Sequence, residues 1–520
     1  MPRKTKPTNP VRRLTHILLN RITLTGLLLL IEITWLFWGV WRLAQYALWI
    51  NVAFSFITLI IVLHILRRDE NPAYKTGWIL MTCILPVFGW VVYAMFGNKH
   101  LSRRMRGKIE AVEKQHRALL TAPAPARADE IPDRLLATSR YIEKFGPYPA
   151  HDRTHARYYA LGDDMFPDLL ADLETAQHYI FLEYFIIAEG VMLDRIMEIL
   201  RCKAAAGVDV RILYDDVGCE AASLYQFAKR AERDGIRCLA FNPIVPVISI
   251  VVNHRDHRKF TIVDGRVAYT GGLNIADEYI NQTVRFGHWK DTGLRLEGSA
   301  VWNFTVMFLN LWNAFRPTET DYTPFRADRL PETAAGDPLL VQPYSDSPLD
   351  DEHVGENIYL EILAQAKDYV WIFTPYLIID SEMQTALCTA AKRGVDVRIV
   401  TPGIPDKKTA YRLTRSYYPP LLRAGVKIYE YTPGFIHAKN FLCDDSIATI
   451  GTINMDYRSL YLHFECGTLL FGGDPIPAIR RDFEDTFEKS REIHLRTFRR
   501  SRGLIQSFID AVLRALSPLF

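Results

Sequence analysis

The sequence lacks the cysteine pattern of a disulfide-stapled or zinc-binding domain. Its seven cysteines are odd in number and irregularly spaced, and no Cys-x-x-Cys occurs among the 520 residues. Disulfide frameworks and cysteine zinc sites need even or closely spaced sets. We therefore exclude both classes and expect a reduced catalytic region that faces the cytosol.

Strong net charge of either sign is also missing. The chain carries 62 basic and 59 acidic residues, for a net charge of +3. It shows no basic groove with interleaved aromatic residues of the kind that binds single-stranded nucleic acid. No carboxylate cluster suits a metal ion. We predict no nucleic-acid partner, no metal and no cofactor.

Long apolar runs, by contrast, are present near the start. Residues 23–41, 46–66 and 77–96 each approach the roughly 20 residues that cross a bilayer as a helix. No small-residue cleavage site follows the first run, which argues against a removable signal peptide. We predict a basic cytoplasmic tail over residues 1–22. An uncleaved membrane anchor of two to three segments should follow over residues 23–97.

The third apolar run differs from the others because Pro86 and Gly89 lie at its centre. Both residue types break helices within a membrane. Basic residues precede the first run, separate the second from the third, and follow the third, and such residues favour the cytoplasmic side. A helical hairpin followed by a re-entrant segment satisfies all three flanks. We therefore expect a multi-pass protein of the cytoplasmic membrane with a cytoplasmic catalytic part.

From about residue 150 onward, the chain resembles itself. Residues 204–213 (AAAGVDVRIL) return as residues 391–400 (AKRGVDVRIV). In each copy a glycine ends a helix and a β-branched strand follows. The alternation of strands and helices predicts α/β layering with a mixed or largely parallel sheet.

This repeat predicts two duplicated α/β domains packed as a pseudo-dimer, preceded by the membrane-embedded helical region. A polar linker should cover residues 98–150 and separate the anchor from the catalytic body. The remaining predicted segments are a first domain over 151–327, a connection over 328–343, a second domain over 344–495, and a C-terminal tail over 496–520.

The repeat carries two copies of the pattern His-x-Lys-x-x-x-x-Asp, each followed by a glycine-rich turn with an asparagine. The first set is His257, Lys259, Asp264 and Asn274, and the second is His437, Lys439, Asp444 and Asn454. Residues two apart on a strand point to the same side, so each histidine should share a face with its lysine. Two such edges facing each other would surround a phosphate with cations, imidazoles and amides.

This residue set suits phosphodiester chemistry. Lysine stabilises charge on phosphoryl oxygens, and an imidazole can act as nucleophile or acid near neutrality. We predict that one histidine attacks phosphorus while the other protonates the leaving alkoxide. Asp264 and Asp444 should hold their turns, and Asn274 and Asn454 should contact phosphate. Glu465 either orients an imidazole or forms a core ion pair.

These motifs resemble the phospholipase D superfamily and, within it, the bacterial cardiolipin synthases. The resemblance rests on residues 253–259, 271–279, 289–292 and 451–459, and on the apolar segment with Leu-Pro-x-x-Gly. It implies two phospholipase D-type α/β domains. It also implies that two phosphatidylglycerol molecules give cardiolipin and glycerol at a membrane, through a phosphatidyl-histidine intermediate.

By the same resemblance, His257 is the nucleophile and His437 the acid and base. His463 departs from the pattern, because the family usually shows asparagine before Phe-Glu, and this puts the role of Glu465 in doubt. The residues alone leave other readings open. These are a phospholipase D or transphosphatidylase acting on another phospholipid, a phosphodiester nuclease, and a non-catalytic membrane scaffold. The oligomeric state is not predicted.

Overall fold

The structure is a computed structural model that describes residues 21–42, 44–97, 103–122, 125–219, 227–243, 254–349, 352–500 and 503–517. Of the predicted cytoplasmic tail, residues 1–20 lie outside these ranges. The chain divides into two compact units. The first contains Met1–Lys99, Ile244–Asn253 and Ala515–Phe520, and the second contains His100–Pro243 and His254–Arg514.

The first unit is helical over its described residues. Its helices are α1 (Arg21–Arg42), α2 (Ala44–Arg67), α3 (Pro72–Ile84) and α4 (Pro86–Phe96). Among the described residues, the stretch Leu48–Arg67 alone is long and apolar enough to cross a bilayer.

The third apolar run is divided between α3 and α4 at Leu85, directly before Pro86. Proline has no N–H to donate and its ring clashes with the preceding turn, so a helix ends there. A Cβ on Gly89 would lie 2.6 Å from the carbonyl oxygen of Met81. Glycine therefore allows the two short helices to pack closely. The expected helix break falls where the proline and glycine predict it.

The second unit contains two lobes with a mixed sheet each. The strands of the first lobe are β1 (Thr154–Tyr159), β2 (Tyr179–Tyr184), β3 (Asp209–Asp215), β4 (Arg237–Phe241), β5 (Lys259–Val263), β6 (Val267–Gly271), β7 (His288–Lys290) and β8 (Gly293–Gly298). Seven of them form a sheet in the order β1-β8-β6-β5-β2-β3-β4. The strands β2, β3 and β4 run parallel, and the others are antiparallel to their neighbours.

The second lobe repeats this arrangement. Its strands are β9 (Leu340–Asp346), β10 (Tyr369–Phe373), β11 (Leu377–Ile378), β12 (Asp396–Pro402), β13 (Lys427–Tyr431), β14 (Gly434–Ile436), β15 (Asn440–Cys443), β16 (Ile447–Gly451), β17 (Met455–Asp456), β18 (Glu465–Phe471) and β19 (Ser490–Ile493). The main sheet has the order β9-β18-β16-β15-β10-β12-β13-β19. Apart from the added edge strand β19, this matches the first lobe strand for strand. The predicted duplicated α/β fold is confirmed.

Helices cover the faces of both sheets because the strands are buried apolar runs that need two covered faces. They are α5 (Arg103–His116), α6 (Asp133–Phe145), α7 (Gly162–Thr175), α8 (Val191–Ala205), α9 (Phe227–Arg233), α10 (Val301–Phe315), α11 (Val354–Gln365), α12 (Ser381–Lys392), α13 (Lys408–Ser416), α14 (Tyr418–Ala424), α15 (Tyr457–Tyr461), α16 (Pro475–Glu488), α17 (Leu495–Arg500) and α18 (Leu504–Ala515). Helix α10 is buried along all but its last residue.

Two segments expected to be peripheral have ordered helical structure in the second unit. Helices α5 and α6 lie within the predicted polar linker, and the last residue of α5 and the residues after it pack onto the first lobe. His116 stacks on Tyr322 with ring centres 4.0 Å apart, and the Trp302 indole donates to the carbonyl oxygen of Leu119. The predicted C-terminal tail contains most of α17 and the whole of α18.

Candidate active site

The two His-x-Lys motifs lie at the start of equivalent strands, β5 and β15. Lys259 opens β5 and Lys439 directly precedes β15, so both histidines stand just outside their strands. Each lysine ammonium donates back to the carbonyl oxygen of its own histidine. Nζ of Lys439 lies 2.8 Å from Nδ1 of His437, so this pair shares a side as expected, but the histidines precede the strands instead of lying on them. The reason is that each histidine pairs with the other lobe.

The backbone of each histidine is held across the lobe boundary. The N–H of His257 donates to the carbonyl oxygen of Phe464 at 2.9 Å, and the N–H of His437 donates to that of Lys290 at 2.7 Å. Strands β7 and β14 also pair in parallel across this boundary. The same relationship therefore occurs twice, with the lobes exchanged.

The first imidazole is oriented by Glu465. Its Nδ1 lies 2.8 and 3.0 Å from the two carboxylate oxygens of Glu465, which is buried. The hydroxyls of Thr452 and Ser459 donate to the same carboxylate, at 2.5 and 2.6 Å. An Nδ1–H that donates to a carboxylate leaves Nε2 with the lone pair. The structure thus brings Glu465 to His257, the orienting arrangement that sequence analysis left open against an ion pair.

The second imidazole has an equivalent partner that sequence analysis missed. Nδ1 of His437 lies 2.6 Å from Oδ2 of Asp291, whose side chain is fully buried. Asp291 directly follows Lys290, just as Glu465 directly follows Phe464, so each two-residue segment holds a histidine by its backbone and by its ring. The available signal was the segment at residues 289–292, which carried part of the family resemblance.

Burial and positive charge set the protonation of the site. Burial first, and then the Lys439 ammonium, lower the pKa of His437 to about 4. Burial and Lys259 also lower the pKa of His257 well below its usual value, and charges on Lys439 and His437 add to this effect. Charges of the second motif therefore act on the first, as expected of one shared site.

The lysines are perturbed as well. Burial lowers the pKa of Lys259 to about 8 and that of Lys439 to about 7. Burial raises the pKa of Glu465 well above its usual range, although Lys259 opposes this. At Asp291, burial is outweighed by His437 and Lys439, so its pKa is lowered. A bound phosphodiester anion would favour the charged forms of both lysines and both imidazoles.

The two asparagines of the glycine-rich turns have different surroundings. The Asn274 side chain accepts from the N–H of Ile186 at 2.9 Å and donates to the hydroxyl of Tyr279 at 2.7 Å. Asn454 is buried, and its Oδ1 has no hydrogen-bond partner among the described residues. Phosphate contact stays a prediction for both amides. Asn274 already uses its oxygen and one of its N–H groups in hydrogen bonds within the protein.

The two motif aspartates lie at the far ends of their strands. Asp264 accepts from the backbone N–H groups of residues 177, 178 and 179, each at 2.8 Å. Asp444 accepts from those of residues 367, 368 and 369 at 2.8 to 2.9 Å. Both residues have positive φ, 51° and 49°, which Asp and Asn tolerate better than most residues. Each aspartate therefore anchors the start of a neighbouring strand, β2 for Asp264 and β10 for Asp444.

A third imidazole, that of His463, borders the site. Its ring centre lies 5.6 Å from that of His257, and its Nδ1 is 3.9 Å from Glu465. Neither ring nitrogen has a hydrogen-bond partner among the residues that the structure describes. These three residues each offer one possible metal ligand within 4.8 Å. Lys259 acts electrostatically on both imidazoles, and this positive charge disfavours a divalent cation there.

Each α/β lobe contributes one His-Lys pair to the boundary between the lobes. This arrangement defines a phospholipase D-type protein. The family model described as "Cardiolipin synthase, PLD-like domain" matches residues 169–284 and 359–489. A second model, "Phospholipase_D-nuclease N-terminal", matches residues 56–98.

Curated relatives extend this match over nearly the whole chain. A cardiolipin synthase 1 of Bacillus anthracis is 34% identical over 90% of this chain and 94% of its own length. A cardiolipin synthase of Halalkalibacterium halodurans is 32% identical over 98% of this chain and 99% of its own. The chain belongs to the cardiolipin synthase family, and the resemblance found in the sequence is confirmed.

The solved structures agree at the level of fold. The crystal structure of a phosphatidylserine synthase from Haemophilus influenzae matches with a TM-score of 0.56 at 12% identity. It covers 74% of this chain and 100% of that one. Together with family membership, the shared fold identifies a phospholipid phosphatidyltransferase.

Proposed function

We propose that this enzyme is a cardiolipin synthase that transfers a phosphatidyl group from one phosphatidylglycerol to another and releases glycerol. The observation that carries the proposal is the reciprocal pairing of His257 with Glu465 and of His437 with Asp291. Each pair fixes one imidazole with Nδ1 occupied and Nε2 available. Two such imidazoles are what a double displacement at phosphorus requires.

The first half-reaction forms the covalent intermediate. Nε2 of His257 attacks the phosphorus of the first phosphatidylglycerol, and the bond from phosphorus to the glycerol oxygen breaks. His437 gives its proton to that oxygen, so neutral glycerol leaves. Glu465 holds the Nδ1 proton of His257 and stabilises the positive charge that the phosphorylated ring acquires.

The substrate itself supplies the charge that prepares the acid. In the free site the pKa of His437 is about 4, because burial and Lys439 disfavour the charged ring. A phosphodiester anion offsets the lysine charge and raises that pKa, and ionised Asp291 favours the same protonated form. His437 thus becomes an acid when substrate is bound.

The second half-reaction returns the enzyme to its starting state. His437 removes the proton from a glycerol hydroxyl of the second phosphatidylglycerol, and that oxygen attacks phosphorus. The bond from phosphorus to Nε2 of His257 breaks, and the ring leaves as neutral imidazole. Lys259 and Lys439 stabilise the phosphoryl oxygens throughout.

We place the enzyme in the cytoplasmic membrane as a multi-pass protein with its catalytic unit in the cytoplasm. Support comes from the apolar stretch Leu48–Arg67, the helix break at Leu85, and the basic flanks in the sequence. A reporter enzyme that works only in the cytoplasm should be active when it is fused after Lys108. Activity of a reporter that works only outside the cytoplasm, fused at the same position, would contradict this orientation.

The reaction is tested by giving membranes that contain the enzyme radiolabelled phosphatidylglycerol and separating the products. We expect cardiolipin and free glycerol, and neither product with His257→Ala or His437→Ala. Phosphatidate without cardiolipin would indicate a hydrolase instead. Turnover only after another phospholipid is added would keep the chemistry but replace the substrate. Wild-type activity in both variants would contradict the assignment of the two histidines.

A further inference from the structure

The C-terminal helix α18 leaves one apolar face uncovered. Ile505, Phe508, Ile509 and Val512 are 78%, 70%, 38% and 43% exposed. Their spacing of three, four and seven residues places all four on one side of the helix. A group of large apolar side chains in water costs free energy, and such a group marks an interaction surface.

The opposite face of α18 is fixed to the second lobe. Arg412 forms a 2.8 Å ion pair with Asp510 and donates to the carbonyl oxygen of Gln506 at 3.3 Å. The Arg514 guanidinium lies 4.4 Å above the ring of Tyr417. Because these contacts hold the helix from behind, its apolar face is presented outward in a defined orientation.

The chain directly before this helix is positively charged. Residues 495–503, directly before the helix, include four arginines and no acidic residue, and Arg496 is exposed. The acidic residue of α18, Asp510, is already paired with Arg412. An apolar helix face preceded by a basic segment is the composition of helices that lie on anionic lipid. A second copy of this chain would bring the same positive charge and be repelled.

We propose that α18 lies on the surface of an anionic phospholipid bilayer. Its apolar face inserts among the upper acyl-chain segments, and the exposed Arg496 contacts the phosphate head groups, where the basic composition of residues 495–503 favours anionic lipid. This surface is a membrane contact in addition to the N-terminal apolar helices. It holds the catalytic unit at the bilayer, and it does not depend on which reaction the enzyme performs.

The test uses the full-length chain in lipid nanodiscs of mixed phosphatidylglycerol and phosphatidylcholine. An environment-sensitive fluorescent amino acid replaces Phe508 in one variant and Gln506 in the other. Both positions are exposed, but they lie roughly 160° apart around the helix because each residue advances it by about 100°. Gln506 is therefore a matched control on the same element.

Lipids brominated on the upper acyl chain should quench the probe at 508 several-fold more strongly than the probe at 506. Quenching at 508 should fall when phosphatidylcholine replaces phosphatidylglycerol. The proposal is wrong if brominated lipid quenches neither probe while aqueous iodide quenches both. It is also wrong if the probe at 508 becomes shielded only as protein concentration rises, since a second copy would then cover the face. Fluorescence quenching reports the position of the helix and not turnover. The test can therefore fail or succeed independently of the proposed reaction.

Discussion

Glu465 of the second lobe is hydrogen-bonded to Nδ1 of His257 in the first lobe, at 2.8 Å and across 208 positions of the chain. The converse bond joins His437 of the second lobe to Asp291 of the first. Each lobe therefore supplies an imidazole together with the carboxylate that orients the other lobe's imidazole. Neither lobe holds a histidine together with its carboxylate partner, so the proposed reaction needs both lobes.

Replacing an orienting carboxylate with its amide should slow phosphatidyl transfer without unfolding the protein. Glu465→Gln and Asp291→Asn keep the shape but remove the charge that stabilises an imidazolium. We expect single-turnover rates to fall by about 10²–10⁴-fold, as losses of orienting carboxylates do in other enzymes. Glu356→Gln is a matched control, because Glu356 is a buried carboxyl of the same lobe and burial raises its pKa to about 8. Equal losses in Glu356→Gln and Glu465→Gln would contradict the orienting role.

Gly272 should be required because it lies against Asp291. A Cβ at this position would lie 2.0 Å from Oδ1 of Asp291, so Gly272→Ala must displace the carboxylate that holds His437. We expect a loss of at least tenfold in the transfer rate. Gly107→Ala serves as control, since a Cβ there meets nothing within 4 Å. Wild-type transfer by Gly272→Ala would show that the position of Asp291 is unimportant.

Anion binding should weaken as pH rises through the range in which the site lysines lose their protons. Burial holds the pKa of Lys439 at about 7 and that of Lys259 at about 8 in the free enzyme. Both are charged below these values and neutral above them, so the dissociation constant of sulfate, whose own charge is constant in this range, should increase between pH 6 and 9. Lys439→Arg should flatten the lower part of this dependence, because arginine stays charged. A dissociation constant independent of pH in the wild type would contradict the lowered lysine pKa values.

Asp264 should matter more for stability than for chemistry. Asp264→Ala leaves three backbone N–H groups without their acceptor and places alanine at φ 51°. We expect the free energy of unfolding to fall by about 2–4 kcal/mol. Asp264→Asn should lose less, because asparagine keeps an acceptor and tolerates this backbone region. Thermal unfolding in detergent micelles measures both variants, and lost activity with unchanged unfolding would assign Asp264 a direct catalytic role instead.

The duplicated fold was predictable because its signals are local. Buried apolar strands, glycine-ended helices and the repeated GVDVRI segment are all visible along the chain. The order of strands in each sheet was not predictable, since it depends on pairings between distant segments. Nor was the helical structure of α5 and α6, because a polar composition alone does not distinguish a linker from helices that pack by one face.

The candidate site was predictable only in part. The repeat gave the histidines and lysines, and the position of Glu465 suggested an orienting group. Asp291 was missed because its spacing from the motif of its own lobe differs from that of Glu465. It follows Asn274 by 17 residues, whereas Glu465 follows Asn454 by 11. The segment between each asparagine and the following carboxylate differs in length between the lobes. The equivalence of the two carboxylates therefore appears only when each is seen beside its histidine.

The covalent intermediate provides the most direct measurement. The enzyme is mixed with phosphatidylglycerol, quenched in denaturant near pH 8 within a single turnover, digested and examined by mass spectrometry. Acid is avoided because it cleaves the phosphorus–nitrogen bond to histidine, and alkali is avoided because it removes the acyl chains. We predict a phosphatidyl adduct on the peptide that contains His257, and none in His257→Ala. An adduct on His437 would reverse the two roles. Cardiolipin formed at the full rate by His257→Ala would contradict covalent catalysis by His257 altogether.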